Sequence, residues 1–276
     1  MSTITSFKLV GDPQPLVLVP TYINDQGPFD FILDTGASTS LITPLLAEKL
    51  GIVCQNEQEA LVAGGKIALG IGEVSSFSIG QAKVNDLLVG VVDLTDVCQA
   101  INAEVFGGIG YNYLQNFYLS LNYQKQVLHL TQPTNPSISS NNANQVKFRL
   151  AHPQRPLIVV PVMVNDTGPY QFALDTGASG TVISIDIADV LSLEHKSMET
   201  VTTGGGYQLS MPITEISSLT VGSARVENLV VVVADFFAML SKVAGIKLHG
   251  IIGFNYLKNF IVQVDYLSEI LGLEPV

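Results

Sequence analysis

Apolar residues in this chain gather in short runs closed by Gly, Pro, Asn and Asp, the pattern of strands and turns rather than of amphipathic helices. Pro15–Ile23 and Pro156–Val164 are rich in β-branched residues. Phe29–Leu33 and Tyr170–Leu174 follow them after Gly-Pro turns, which predicts antiparallel hairpins. Ser40–Ile42 and Thr181–Ser184 are strand-like. Leu87–Val92 and Leu229–Val233 are continuously apolar, as central strands are, whereas Tyr118–Tyr123 and Ile261–Tyr266 alternate, as strands buried on one face do. Helices are few and short. Pro44–Leu50 has Thr43 as N-cap, Pro44 in the first position and Gly51 as its stop, and Ile185–Leu191 has Ser184 as its cap. Tyr111–Phe117 and Phe254–Phe260 are expected to be short helices after a glycine. Gly64-Gly65 and Gly204-Gly205-Gly206 mark hairpin tips, where positive φ is needed. Leu229–Leu240, interrupted by Asp235, is too short to span a bilayer as a helix and is expected to be a buried strand.

Most of these elements occur in pairs. A constant offset of 141 residues links Phe7 with Phe148 and Pro15 with Pro156, and continues without a gap to Ile42 and Ile183. After small length changes, Gly107–Phe117 matches Gly250–Phe260. A repeat of this length is a domain rather than a solenoid unit, so two lobes related by approximate twofold symmetry are expected. Thr131–Gln145 is polar and rich in Asn and Pro, and buries too little surface to offset the entropy of ordering it. The expected organisation is therefore a first lobe over residues 1–131, a linker over 132–145 and a second lobe over 146–276. The terminal strands near Ile4–Val10, Val127–Leu130, Val146–Leu150 and Ile270–Leu273 are expected to form a shared sheet where the lobes meet.

Composition narrows the partners. A net charge of −11 argues against nucleic acid, because phosphate contacts need basic patches. The start, Met1–Phe7, has neither a basic stretch nor a long apolar one, so no secretory leader and no membrane partner are expected. Cys54 and Cys98 lie in the first lobe without counterparts in the second. This suits two buried free thiols in a reducing compartment, and hence a cytoplasmic location. His129, His152, His195 and His249 are scattered without ligand spacing, so neither a metal nor another cofactor is expected.

The candidate chemistry lies in the repeated segment Asp-Thr-Gly-Ala-Ser, at Asp34–Ser38 and Asp175–Ser179. Each copy follows an apolar run and is preceded by Asn-Asp-x-Gly-Pro. A turn aspartate alone is commonly structural. Two in matching contexts suggest carboxylates brought together across the lobe junction. Such a pair cannot comfortably hold two charges, so it keeps one proton and titrates as a unit. One carboxylate can then accept a proton from water while its protonated partner donates to a carbonyl oxygen, which hydrolyses an amide by general acid–base catalysis. Gly36 and Gly177 permit a tight turn, Thr35 and Thr176 offer hydroxyls for hydrogen bonds across the junction, and Ala37 and Ala178 are small enough for close approach. The glycine hairpins at Gly64, Gly65, Gly204 and Gly205 are candidate lids over a peptide bound in extended form. Gly204–Gly206 lacks the following Lys-Ser/Thr of a phosphate loop. Asp93 and Asp235 recur between the lobes as expected surface residues at strand ends.

The ordered set of Asp-Thr-Gly-Ala-Ser, a Gly-rich hairpin, and the steps Gly108-Ile109-Gly110 and Ile251-Ile252-Gly253 resembles the retropepsin-like aspartic proteases over nearly all of both lobes. The resemblance implies an all-β fold with short helices, in which Asp34 and Asp175 are the catalytic dyad and Thr35 and Thr176 an interlocking pair. It implies an aspartic endopeptidase in which both lobes lie in one chain, a tethered dimer expected to work as a monomer. Alanine rather than serine after each Asp-Thr-Gly removes a hydroxyl that could stabilise the ionised dyad, so an optimum less acidic than that of pepsins is expected. The hairpin tips depart from strict duplication, Gly65-Lys66 against Gly205-Gly206-Tyr207, so either the lids cover a peptide unequally or only one covers it, with Tyr207 a candidate lid residue.

Two other readings stay open. One is a peptide-binding or scaffold protein that kept this fold and lost turnover, although both Asp-Thr-Gly triplets are intact. The other is a glycosidase carboxylate pair, against which the absence of tryptophan counts.

Overall fold

The computed structural model describes residues 2–12, 15–62, 65–133 and 144–276. It is built from strands, with short helices at corresponding places in two similar halves. Each half contains an eight-stranded sheet, and the two sheets have the same order of equivalent strands. Between them lies a six-stranded sheet contributed by both halves. Its two central strands, Tyr118–Asn122 and Phe260–Asp265, pair antiparallel across the junction, with Leu119 opposite Val264 and Leu121 opposite Val262. Ser2–Ser6 and Val127–Thr131 complete it on one side, and Ile270–Pro275 and Gln145–Lys147 on the other.

The shared sheet of the chain termini is thus present, with one correction to its extent. Lys8–Val10 and Arg149–His152 leave it and join the sheets of their own lobes. The breaks fall at Phe7 and Phe148, whose buried rings pack edge-on against Tyr123 and Tyr266.

The first hairpin of each lobe pairs Leu16–Ile23 with Gln26–Leu33, and Arg155–Val164 with Thr167–Leu174. The turns are made by Asn24-Asp25 and Asn165-Asp166, all four with positive φ, and not by the Gly-Pro dipeptides, which lie inside the returning strands as cis peptides. Asn and Asp tolerate the left-handed region at both turn positions. The Asn24 and Asn165 carboxamides also accept from Ser76 and Ser218 N–H, tying both turns to the adjacent hairpin.

Thr43 caps the helix Pro44–Lys49 by accepting from Leu46 N–H at 3.3 Å, and Gly51, at φ +66°, ends it. Ser184 caps Ile185–Val190 in the same way. The run Leu229–Leu240 is not one strand. The strand ends at Ala234, and a helix occupies Phe237–Ala244, at the place in its lobe that the helix Thr95–Ile101 has in the first. An unbroken apolar run carries no period to separate strand from buried helix. Asp93 and Asp235 lie exposed at the corresponding strand ends.

One hydrophobic core runs continuously through both lobes and the shared sheet, including Phe31, Phe77, Leu119, Phe172, Val262 and Leu271. Tyr113 and Tyr256 are fully buried and donate to the carbonyls of Ala82 and Ala224, so their hydroxyls are satisfied inside that core. A smaller apolar cluster lies on the other face of each lobe sheet. Among the described residues, no helix is long and apolar enough to cross a membrane.

Candidate active site

Asp34 and Asp175 close the strands Gln26–Leu33 and Thr167–Leu174 and meet at the pseudo-twofold axis. Each is held by its own turn. Asp34 Oδ1 accepts from the N–H groups of Gly36 and Ala37, both at 2.9 Å, and Asp175 Oδ1 accepts from Gly177 N–H at 2.8 Å. The backbone N–H groups of Asp34 and Asp175 donate to the carbonyls of Ile109 and Ile252, each at 3.0 Å, so the parallel neighbouring strands fix where both loops begin.

The glycines explain how closely the loops approach. A Cβ on Gly36 would lie 2.6 Å from Asp175 Cγ, and one on Gly177 would lie 2.8 Å from Asp34 Cγ. Each glycine therefore backs onto the aspartate of the opposite lobe, and any side chain there would push the carboxylates apart.

Thr35 and Thr176 are almost fully buried beneath the pair and lock the lobes reciprocally. Thr35 Oγ1 donates to Leu174 O at 3.0 Å and accepts from Thr176 N–H at 3.0 Å. Thr176 Oγ1 donates to Leu33 O at 2.8 Å and accepts from Thr35 N–H at 3.1 Å. Four such bonds, each contributing about 0.5–1.5 kcal/mol, hold the dyad loops in fixed register.

A second brace, not anticipated from the motif, ties each loop to the apolar-apolar-Gly step. Asn112 Oδ1 accepts from Ser40 N–H and Oγ–H, while Gly110 N–H donates to Ser40 Oγ. Asn255, Thr181 and Gly253 repeat the arrangement. Gly110 and Gly253 are needed there, because an added Cβ would fall 2.6 Å from the Thr39 carbonyl carbon and 2.3 Å from Gly180 O respectively. The recurrence of Asn112 as Asn255 and of the Ser40 hydroxyl as that of Thr181, each within its repeated block, was the available sequence signal.

Both dyad carboxyls are pushed above the ordinary aspartate range. For Asp34 burial is the larger cause and the charge of Asp175 the next, with the Gly36 and Ala37 N–H groups opposing. For Asp175 burial again dominates, and the N–H bonds from its own loop oppose it. The pair accordingly keeps a proton at pH values where an isolated aspartate has lost it. Tyr123 and Tyr266 are buried at the junction in matching positions, and neither hydroxyl has a hydrogen-bond partner among the described residues. Burial raises both phenol pKa values. Asp175 adds to the effect on Tyr123, and Tyr111 and Asp34 add to that on Tyr266.

The candidate lid residues divide. Gly64 lies outside the described residues. Gly65, at φ +156°, lies under the Tyr207 ring, and the Tyr207 hydroxyl donates to Lys66 O at 2.5 Å, so the two hairpins touch across the lobes. Gly204 is exposed with nothing near it, and Gly205 lies in the turn that Gly206 N–H closes onto Thr203 O. Cys54 and Cys98 are free thiols, but neither is buried as expected: Cys54 is exposed and Cys98 half-buried. Among the described residues, no group of His, Cys, Asp and Glu is placed to hold a metal ion. A separate recess lined by Thr43, Leu45, Thr95, Cys98 and Phe106 includes no residue of the dyad loops.

A family model described as aspartyl protease matches the chain twice, over residues 19–113 and 160–256. Each match contains one Asp-Thr-Gly loop, its hairpin and its apolar-apolar-Gly step. No curated protein matches the chain.

Proposed function

The chain belongs to the aspartyl protease family, as two tandem retropepsin-like lobes, and we propose that it is an endopeptidase in which Asp34 and Asp175 share one proton and activate water between them. The observation that carries this reading is the mutual approach of the dyad, each aspartate seated against the glycine of the other lobe's loop. The ionised carboxylate takes a proton from water as its oxygen attacks the peptide carbonyl carbon. The protonated partner gives its proton to the carbonyl oxygen, forming a neutral tetrahedral diol. A diol hydroxyl then returns its proton to a carboxylate, the leaving nitrogen is protonated, and the C–N bond breaks. The threonine lock keeps both carboxyls in place through these transfers, and burial raises the pKa of the acid so that it remains protonated when needed.

The substrate is a peptide in extended form, lying between the dyad and the hairpins and adding to them as a strand. Both halves of the site lie in one chain, so a monomer suffices. The test is digestion of a mixed peptide library over a broad pH range, with and without pepstatin, by the wild type and by Asp34→Asn and Asp175→Asn. Cleavage lost in either single variant supports a shared dyad. Peptide binding without cleavage by the wild type supports a scaffold instead, and cleavage retained in one variant removes the pair mechanism.

A further inference from the structure

The two lobes differ at one corner that the repeat otherwise copies closely. The match of Gly107–Phe117 with Gly250–Phe260 sets Phe106 against His249. The backbone of each joins three segments in the same way. Phe106 N–H donates to Asp30 O at 3.0 Å, and Phe106 O accepts from N–H of the helix cap Thr43 at 2.9 Å. His249 N–H donates to Gln171 O, and His249 O accepts from N–H of the helix cap Ser184, both at 2.8 Å. Each residue therefore ties the strand leading to an aspartate to a helix cap. Each also stands at the head of the short strand, Gly107–Ile109 or Gly250–Ile252, whose last carbonyl receives that aspartate's N–H.

The side chains differ. Phe106 packs on Phe29, with ring centroids 5.2 Å apart. His249 lies 5.5 Å from Tyr170 in the equivalent place, and it adds a bond: its Nδ1 accepts from Gln171 N–H at 3.1 Å. A backbone N–H can only donate, so this contact requires Nδ1 to carry no proton. In the charged ring both nitrogens are donors. Nδ1–H then meets Gln171 N–H donor against donor, the ring turns away, and the strand N–H loses its acceptor. Lys247 and Asp186, 4.0 Å apart, act on the ring from the preceding loop and from the helix Ile185–Val190. Arg149, on the adjoining strand, donates to Gln171 Oε1 at 3.0 Å, and Tyr170 is the titratable neighbour on the dyad strand itself. Burial, and after it Lys247, hold the imidazole below its ordinary pKa of 6.5, against the opposing pull of the Gln171 backbone and Asp186.

We propose that His249 is an acid-sensitive clamp: its neutral ring fastens the strand that carries Asp175 at the corner with the Ser184 cap, and protonation releases that fastening in the second lobe alone. Phe106 has no titratable atom, so the first lobe keeps its corner at every pH. Folding lowers the imidazole pKa, so the stability contributed by the neutral ring is fully present above 6.5 and is lost as pH falls through the folded value. The dyad acts with the opposite sign, since its pKa is raised by folding. The two linkages together favour a fold poised between them.

Amide hydrogen exchange at pH 7 and pH 5, expressed as protection factors, tests this in the wild type, His249→Asn and His249→Phe. Asn offers a carboxamide oxygen that does not titrate, and Phe installs the first-lobe residue. Protection of Gln171 and Ser184 N–H in the wild type should fall about tenfold at pH 5, as losing one hydrogen bond allows, while Thr43 N–H keeps its protection. His249→Asn should show no such fall, and His249→Phe should leave Gln171 weakly protected at both pH values. Unchanged wild-type protection at Gln171, an equal fall in either variant, or an equal fall at Thr43 overturns the clamp. None of these readouts needs cleavage, so the outcome is separate from that of the endopeptidase reading.

Discussion

The hairpins above the dyad are made from equivalent strands but end differently. In the first lobe the pairing runs out to Val62 opposite Gly65, whereas in the second it stops at Thr202 opposite Gln208 and leaves a five-residue turn, Thr203–Tyr207. The longer tip carries Tyr207 onto Gly65 and Lys66 of its counterpart, and places Gly206 against Asp96 of the first-lobe helix Thr95–Ile101. Beneath the roof the lobes are near copies, with the same threonine lock, the same Asn brace and the same glycine contacts. The difference teaches where duplication is kept. At the axis each copy of the loop packs against the other copy, so a change in one disturbs both. Away from the axis each copy faces something different and is free to diverge.

The largest expected effect comes from breaking the symmetric part. Gly36→Ala and Gly177→Ala should each lower kcat/KM by at least about 100-fold, because the added methyl displaces the opposite carboxylate. Steady-state kinetics checks this, and a large loss in one variant alone would show that the loops are not equivalent.

Removing one hydroxyl of the lock should cost stability next. Thr35→Val leaves the Leu174 carbonyl and the Thr176 N–H without partners in a buried place, a cost of about 2–5 kcal/mol. Thr176→Val should match it within about 1 kcal/mol, and the double variant should cost less than the sum, since both remove the same lock. Urea unfolding measures all three.

A smaller effect concerns pH. Folding raises the dyad pKa, so the folded state binds more protons than the unfolded one above the ordinary aspartate value of 3.8. The stability contributed by the protonated pair is fully present below that value and is lost as pH rises through the raised one. Asp34→Asn removes the share of this loss that comes from Asp34, so its melting temperature should gain on the wild type as pH rises and then level off. A gap independent of pH would contradict the shared proton.

The smallest effect is at the asymmetric tip. Tyr207→Phe keeps the ring on Gly65 and loses only the bond to Lys66 O, worth less than about 1 kcal/mol. Faster amide exchange at both tips, with little change in global unfolding, is expected. Tyr207→Ala should raise KM a few-fold with kcat held, by loosening the roof.

Local features were legible in the chain: the strand pairs, the Thr43 and Ser184 caps, the repeat, and the aspartate turns. Each depends on neighbours within a few residues, where side-chain period, capping and turn chemistry act directly. The Gly-Pro turns and the Leu229–Leu240 strand were misplaced because the same local pattern fits two conformations, and pairing with distant strands chose between them. The duplicated Asp-Thr-Gly segments pointed to a symmetric site. Only the tertiary structure decided which carbonyl each threonine reaches, that Tyr207 rests on Gly65, and that Gly36 and Gly177 back onto the opposite aspartates. Those contacts join segments far apart in sequence, and their geometry follows from the register of whole sheets, which no single stretch of the chain encodes.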